Sequence, residues 1–198
     1  MVRGMSTAMH RTWTPEQFLA WEEEQEERWE FAGFEPVAMT GGTWAHSIIQ
    51  ANLIRALGSR LSGEPCRVHG SILKVKAGHS FRYPDAFVAC SGGDPRSTVA
   101  AEPVVLFEIM SPSTERTDRG VKLREYTAIP SARRYVLIEQ DEVLATVVAR
   151  SGDDWIITHP GTGALLTMPE IGVTMPLEEL YEGVDLTAPA PGEALPTL

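Results

Sequence analysis

The sequence predicts a mixed α/β sheet flanked by helices, and three observations carry that expectation. Apolar residues first recur at helical spacing and then switch to the short apolar runs of strands. A strand-helix-strand crossover follows, and after it a meander of strands broken by turn residues. With 198 residues, the chain fits one domain able to bury roughly 70% of its unfolded surface.

The elements follow in chain order. Thr14-Pro15-Glu16-Gln17 reads as a helix start, with Thr as N-cap, Pro at the first helical position and Gln closing a capping box. The helix is expected to run to about Glu27, with its five-acid stretch from Glu22 to Glu27 as a solvated face. Short strands are expected at Trp29 to Phe31 and Glu35 to Met39, bent at Gly33. A second helix, Thr43 to Leu61, presents Trp44, Ile48, Ile49, Leu53, Ile54, Leu57 and Leu61 as one buried face. Strands then read at 67–69, 71–76, 81–83 and 85–90, with a turn at Gly78 and one solvated face across Ile72 to Lys76. The run Pro103 to Met110 reads as a buried central strand, and Ser111 to Glu115 as the cap of a helix to about Ala128. Strands at 134–139, 143–150 and 155–159, with a turn at Gly152 to Asp154, and a short helix at 175–180 complete the domain, residues 14–185. Residues 1–13 are expected to be a flexible N-terminus and 186–198 a disordered Pro/Ala-rich tail.

Composition excludes several classes. No apolar stretch approaches the ~20 residues of a membrane span, and Met1 to His10 lacks the apolar core of a signal peptide. A cytoplasmic location is therefore expected, with Cys66 and Cys90 as reduced thiols; neither sits in a CxxC context, and a disulfide between them stays open. The net charge of −10, from 27 acidic and 17 basic residues, argues against binding a polyanion through a basic footprint. No GxSxG elbow, P-loop or dinucleotide-binding glycine pattern occurs.

The chemistry concentrates on Glu108, a carboxylate inside an apolar strand, where an unpaired charge would cost several kcal/mol. Asp85 opens a second apolar run, 86–90. Hard cations such as Mg²⁺, or alternatively Mn²⁺, take one or two carboxylates plus waters and phosphate oxygens. Asp85 and Glu108, with the Ile109 carbonyl, would make such a half-shell. On the following helix, Glu115, Arg119, Lys122 and Tyr126 recur at helical spacing. Lys122 could there orient a water or meet developing charge, with Tyr126 supporting it; the plainer reading is a solvent lysine paired with Asp118 or Glu125. Glu30, between Trp29 and Phe31, needs a partner, and His46 could be a helix-boundary histidine. Trp13, Trp21, Trp29 and Trp44 could stack bases, but core packing explains them more simply.

The stretches 83–85, 107–114 and 118–126 resemble the Uma-two family (domain of unknown function 820). Arg28-Trp29-Glu30-Phe31, Met39 to Gly42, His46 and Leu177 to Gly183 extend the resemblance over roughly Thr14 to Val184. It implies a restriction-endonuclease-like fold of the PD-(D/E)xK nuclease superfamily, and a Mg²⁺-dependent endonuclease acting on DNA with Asp85 and Glu108 as metal ligands. In the superfamily the lysine follows the acid by two residues; that position is Met110 here, and the family pattern moves the lysine to Lys122. The resemblance gives Glu30 a ligand or water-holding role, His46 a contact to phosphate or leaving group, and suggests a homodimer. Ile72 and Ala32 depart from it, each standing where relatives carry Asp. A non-catalytic module binding protein or nucleic acid, and a hydrolase of smaller phosphodiesters, are the alternatives. Alanine at Asp85, Glu108 or Lys122 is expected to abolish cleavage while leaving the fold intact.

Overall fold

The computed structural model describes residues 13–39, 41–63, 65–100, 102–111 and 116–187. Expectations for the first twelve residues, the cap at 112–115 and the tail from 188 lie outside the described residues.

Helix α1, Pro15–Glu22, starts on the capping box around Thr14, as expected. It stops at Glu22 rather than Glu27. Beyond it, Glu22/Glu26 and Glu23/Glu27 would be like-charge pairs one turn apart, and acids at a helix C-terminus oppose its dipole. Strands β1, Trp29–Phe31, and β2, Pro36–Ala38, form a hairpin whose turn passes through Gly33 at φ +85°, the left-handed region that suits glycine. Helix α2, Trp44–Arg60, buries Ile49, Leu53, Ala56 and Leu57. Trp44, expected on that buried face, instead stands 84% exposed in the first turn.

Strands β3 (Arg67–Gly70), β4 (Lys74–Ala77), β5 (Ser80–Arg82), β6 (Ala86–Ala89), β7 (Val99–Ala100) and β8 (Pro103–Ile109) follow. The crossover from β8 passes through a π-helical segment, Thr117–Lys122, and a short α3, Leu123–Thr127, into β9, Arg134–Ile138. Strands β10 (Ala145–Ser151) and β11 (Asp154–Thr158) make the expected hairpin, and β12 (Leu165–Met168) with β13 (Val173–Pro176) makes one the sequence reading missed. The helix expected from Met175 is a strand end followed by a 3-10 turn, Leu177–Tyr181.

Six strands in the order β11-β10-β9-β8-β6-β3 form the central sheet, antiparallel except for the parallel pair β8–β9 that the crossover requires. One face packs through Val105, Phe107 and Ile109 onto α2, the β12–β13 hairpin and the last 3-10 turn. The other packs through Leu106 and Met110 onto Tyr126, Tyr135 and Val75. A second sheet, β2-β1-β5-β4-β7, carries α1 on a small core of Phe18, Phe31 and Phe81.

Two further expectations are corrected. Cys66 and Cys90, expected as thiols, form a disulfide, because antiparallel β3 and β6 end side by side at Arg67 and Ala89. Glu22 and Lys74, both expected on solvated faces, are buried against each other, where the end of α1 meets the start of β4. No helix among the described residues is long and apolar enough to cross a membrane.

Candidate functional site

Asp85 and Glu108 meet because of register. Antiparallel β6 and β8 pair Ala86 with Phe107, so one step further sets Asp85 opposite Glu108. Both then point to the face that holds Phe87 and Leu106, by the two-residue alternation of strands. The Asp85 carboxylate accepts the Ile109 main-chain N–H at 2.7 Å through Oδ2. Ile109, expected to offer its carbonyl to a metal, thus contributes its amide to the site.

Lys122 is no solvent lysine. It is 5% exposed, with Nζ 2.9 Å from Glu108 Oε1, 3.1 Å from Asp118 Oδ1 and 3.5 Å from Glu30 Oε1. The Tyr126 hydroxyl donates to the same Glu108 oxygen at 2.9 Å. Glu108 Oε2 takes no hydrogen bond among the described residues, which leaves it the open position of the group. Burial pushes the Glu108 carboxyl well above the usual carboxylate range; Lys122 pulls it back, while Asp85, Asp118 and Glu30 push it further up. Burial alone would lower Lys122, but Glu108, Glu30 and Asp118 outweigh it and hold the ammonium above its ordinary value. Burial, and then Glu108, raise the Tyr126 hydroxyl, so it remains a donor.

Around this core stand residues that the sequence reading did not assign to the site. Asp118, 1% exposed, was considered only as a solvent partner of Lys122; its i,i+4 spacing was the available signal. Arg82, 2% exposed, binds Glu125 at 2.7 Å and Glu30 at 3.0 Å, and both hold its charge firmly against the effect of burial. Glu30 also accepts the Tyr83 N–H at 3.1 Å, so its two oxygens tie it to Arg82, Lys122 and the Tyr83 main chain.

His46 reaches the site from the first turn of α2, capped by Thr43. Its Nε2 lies 2.9 Å from Asp85 Oδ1, and its Nδ1 is buried without a hydrogen-bond partner. Gly42 lies against the imidazole; a Cβ there would meet the ring at 3.1 Å. Gln50, one turn on, donates to the Asp85 carbonyl at 2.8 Å. Gln140 bridges the Thr43 hydroxyl and the Met110 carbonyl, joining the start of α2 to the end of β8. Ile72 and Ala32, the two departures from the family pattern, make no contact to Asp85 or Glu108 among the described residues, and Ile72 is 82% exposed.

The donor set suits a hard divalent cation. Among the described residues no group of three or more His, Cys, Asp or Glu is placed to hold a metal ion, so Asp85 and Glu108 would serve as the one or two carboxylates that Mg²⁺ sites ordinarily combine with water and phosphate. Among the described residues, Glu30, Asp85, Glu108, Asp118 and Glu125 face only Arg82 and Lys122 as permanent cations. That surplus of negative charge, and the open oxygen on a buried Glu108, are what an added cation would relieve.

A family model described as "Putative restriction endonuclease", Uma2, matches residues 15–178. The chain belongs to the Uma2 family. It is 33% identical over 175 residues to the uncharacterized protein slr1290 of Synechocystis, covering 86% of this chain and 92% of that protein. The Synechocystis protein sll1609 is 25% identical over 163 residues, 78% of this chain and 91% of its own length. In structure the chain resembles a DUF820 protein of Anabaena variabilis, described as a putative nuclease, with TM-score 0.70 over 86% of this chain and 98% of that one. At 19% identity that likeness establishes the fold, a restriction-endonuclease-like one, as expected for a Uma2 protein.

Proposed function

We propose that this Uma2 protein is a metal-dependent endonuclease that hydrolyses nucleic-acid phosphodiesters, with Asp85 and Glu108 as the metal-binding carboxylates. The supporting observation is the pairing of Asp85 with Glu108 across β6 and β8, with one Glu108 oxygen held by Lys122 and Tyr126 and the other open. A bound Mg²⁺ or Mn²⁺ would supply Lewis-acid polarisation of a phosphate oxygen and a water acidic enough to attack at neutral pH.

The side chains divide the remaining work. Lys122 is held as an ammonium by Glu108, Glu30 and Asp118, so it acts as a cation beside the phosphate and not as the base. Tyr126 fixes the rotamer of Glu108. The Ile109 amide and His46 fix the two oxygens of Asp85, and Gln50 fixes its backbone. His46 Nδ1, buried and without a hydrogen-bond partner among the described residues, leaves the ring's contact with the site to Nε2 on Asp85.

Calorimetric titration with Mn²⁺, run beside a cleavage assay, tests the assignment. Wild type is expected to bind and to cut, and Asp85→Ala to do neither. Full cleavage by a Glu108 variant, or an Mn²⁺ site indifferent to Asp85, would remove this reading and leave the non-catalytic module that the −10 charge favours. The Lys122 test needs Lys122→Met in place of alanine, and the expectation of an intact fold does not carry over to it. Removing one partner of a buried ion pair costs about 3–5 kcal/mol.

A further inference from the structure

Of Trp13, Trp21, Trp29 and Trp44, which core packing would explain together, one stands apart in the structure. Trp13, Trp21 and Trp29 form an edge-to-face ladder with centroids 5.3 and 5.2 Å apart, beside the small aromatic core under α1. Trp44 makes no ring contact among the described residues and is 84% exposed. It lies two residues before His46, which holds Asp85.

Other exposed apolar side chains stand on or beside elements that build the site. Ile72, 82% exposed, follows Ser71, whose hydroxyl lies 3.3 Å from Gln50, the residue that holds the Asp85 carbonyl. Val37, 55% exposed, is the cross-strand partner of Glu30, and Phe34, 74% exposed, tips the same hairpin. Exposed apolar residues are usually scattered; Trp44, Phe34, Val37 and Ile72 stand on or beside elements that build the carboxylate site, whereas Ile156, Ile157 and Leu165 stand on β11 and β12.

Charge narrows what could lie across them. Duplex nucleic acid hides its base faces and is held mainly by neutralising phosphates with Lys and Arg. The two cations inside the site, Arg82 and Lys122, are buried and already neutralised by carboxylates. Arg28 and Arg116 are exposed on neighbouring segments, a small basic contribution against a net charge of −10. Stacking on an aromatic face needs no protein charge and accepts every base.

We propose that this apolar rim binds an unpaired nucleotide strand, with Trp44 stacking on a base while the adjoining phosphodiester reaches Asp85 and Glu108. The proposal rests on the nuclease reading above and names its substrate class: single-stranded or unpaired segments in preference to duplex. Trp44 touches none of the site's ion pairs, so its replacement leaves the metal-binding groups in place.

The test measures fluorescence anisotropy of a labelled single-stranded oligonucleotide and of the duplex of the same sequence. Full-chain protein is used, with Ca²⁺ as an oxygen-seeking cation. Wild type is expected to prefer the single strand, and Trp44→Ala to weaken it by about 5- to 150-fold, the equivalent of 1–3 kcal/mol for one stacked base. Trp44→Phe should restore most of the binding. The dependence of log K on log salt should be shallow, with a slope of about −1.4 if two phosphates are neutralised. Equal or tighter duplex binding, indifference to Trp44→Ala, or no binding of either strand form overturns the proposal. Mn²⁺-dependent cleavage of duplex by the same preparation separates the two claims. Duplex cutting unaffected by Trp44→Ala keeps the nuclease and removes the unpaired-strand preference, whereas loss of the Asp85-dependent Mn²⁺ site removes the nuclease reading itself.

Discussion

The molecule buries the same three residue types twice, Glu–Lys–Tyr, with opposite results. In the first group, Glu22 accepts Tyr83 OH at 2.5 Å through one oxygen and pairs with Lys74 through the other. One acid meets one base, both carboxylate oxygens are used, and Lys74 also lies over the Tyr83 ring at 5.6 Å. In the second, Glu108 gives one oxygen to both Lys122 and Tyr126 and keeps the other open, while Asp118 and Glu30 crowd the same lysine. A buried charge is therefore no mark of function by itself. Imbalance and an open coordination position distinguish the second group from the first.

The largest expected effect separates them by stability. Glu22→Ala strands Lys74, 4% exposed, without its counter-ion and should cost about 3–5 kcal/mol in chemical unfolding. An effect below about 1 kcal/mol would make the first group no clasp at all.

Glu108→Gln should act in the opposite direction. With the folded carboxyl raised above its unfolded value of 4.5, ionisation favours the unfolded chain, so this group costs stability as pH rises from that value towards the folded one. Glutamine removes the cost. The metal-free variant should therefore melt higher than wild type, by on the order of 2–4 °C for each kcal/mol regained. The gain should be larger near about pH 8 than near about pH 5. A lower Tm at both pH values would mean that Glu108, like Glu22, is a balanced structural partner.

The smallest contrast lies in the tyrosines. Tyr83→Phe leaves a buried Glu22 oxygen without its donor and should cost about 1–3 kcal/mol. Tyr126→Phe leaves Glu108 Oε1 on Lys122 and should cost about 1 kcal/mol or less, while weakening Mn²⁺ by about 10-fold through a less fixed carboxylate. Equal losses in thermal melts of the two variants would erase the distinction between the groups.

Much of the site was legible before any coordinates. Asp85 and Glu108 stood out as carboxylates on apolar runs, and Lys122 and Tyr126 as one face of the next helix; the structure brings all four together on one side of the central sheet. Arg82 and Gln50 carry no site signal in the sequence, and Asp118 and Glu125 enter there only as solvent partners of Lys122, because each looks like an ordinary surface residue until a neighbouring element covers it. The crossover differs from the regular helix expected: its first part, Thr117–Lys122, is π-helical, and Asp118 and Lys122 are both buried on it.

Local patterns in the chain determined the order of elements, the apolar central strands and the motif residues, because periodicity, capping and turn chemistry act within a few residues. Only the tertiary structure decided the rest. It buried Glu22 against Lys74, paired Cys66 with Cys90, turned Trp44 outward, and left one oxygen of Glu108 without a partner among the described residues. Burial and charge balance depend on which distant segment packs on top, and no local pattern carries that information.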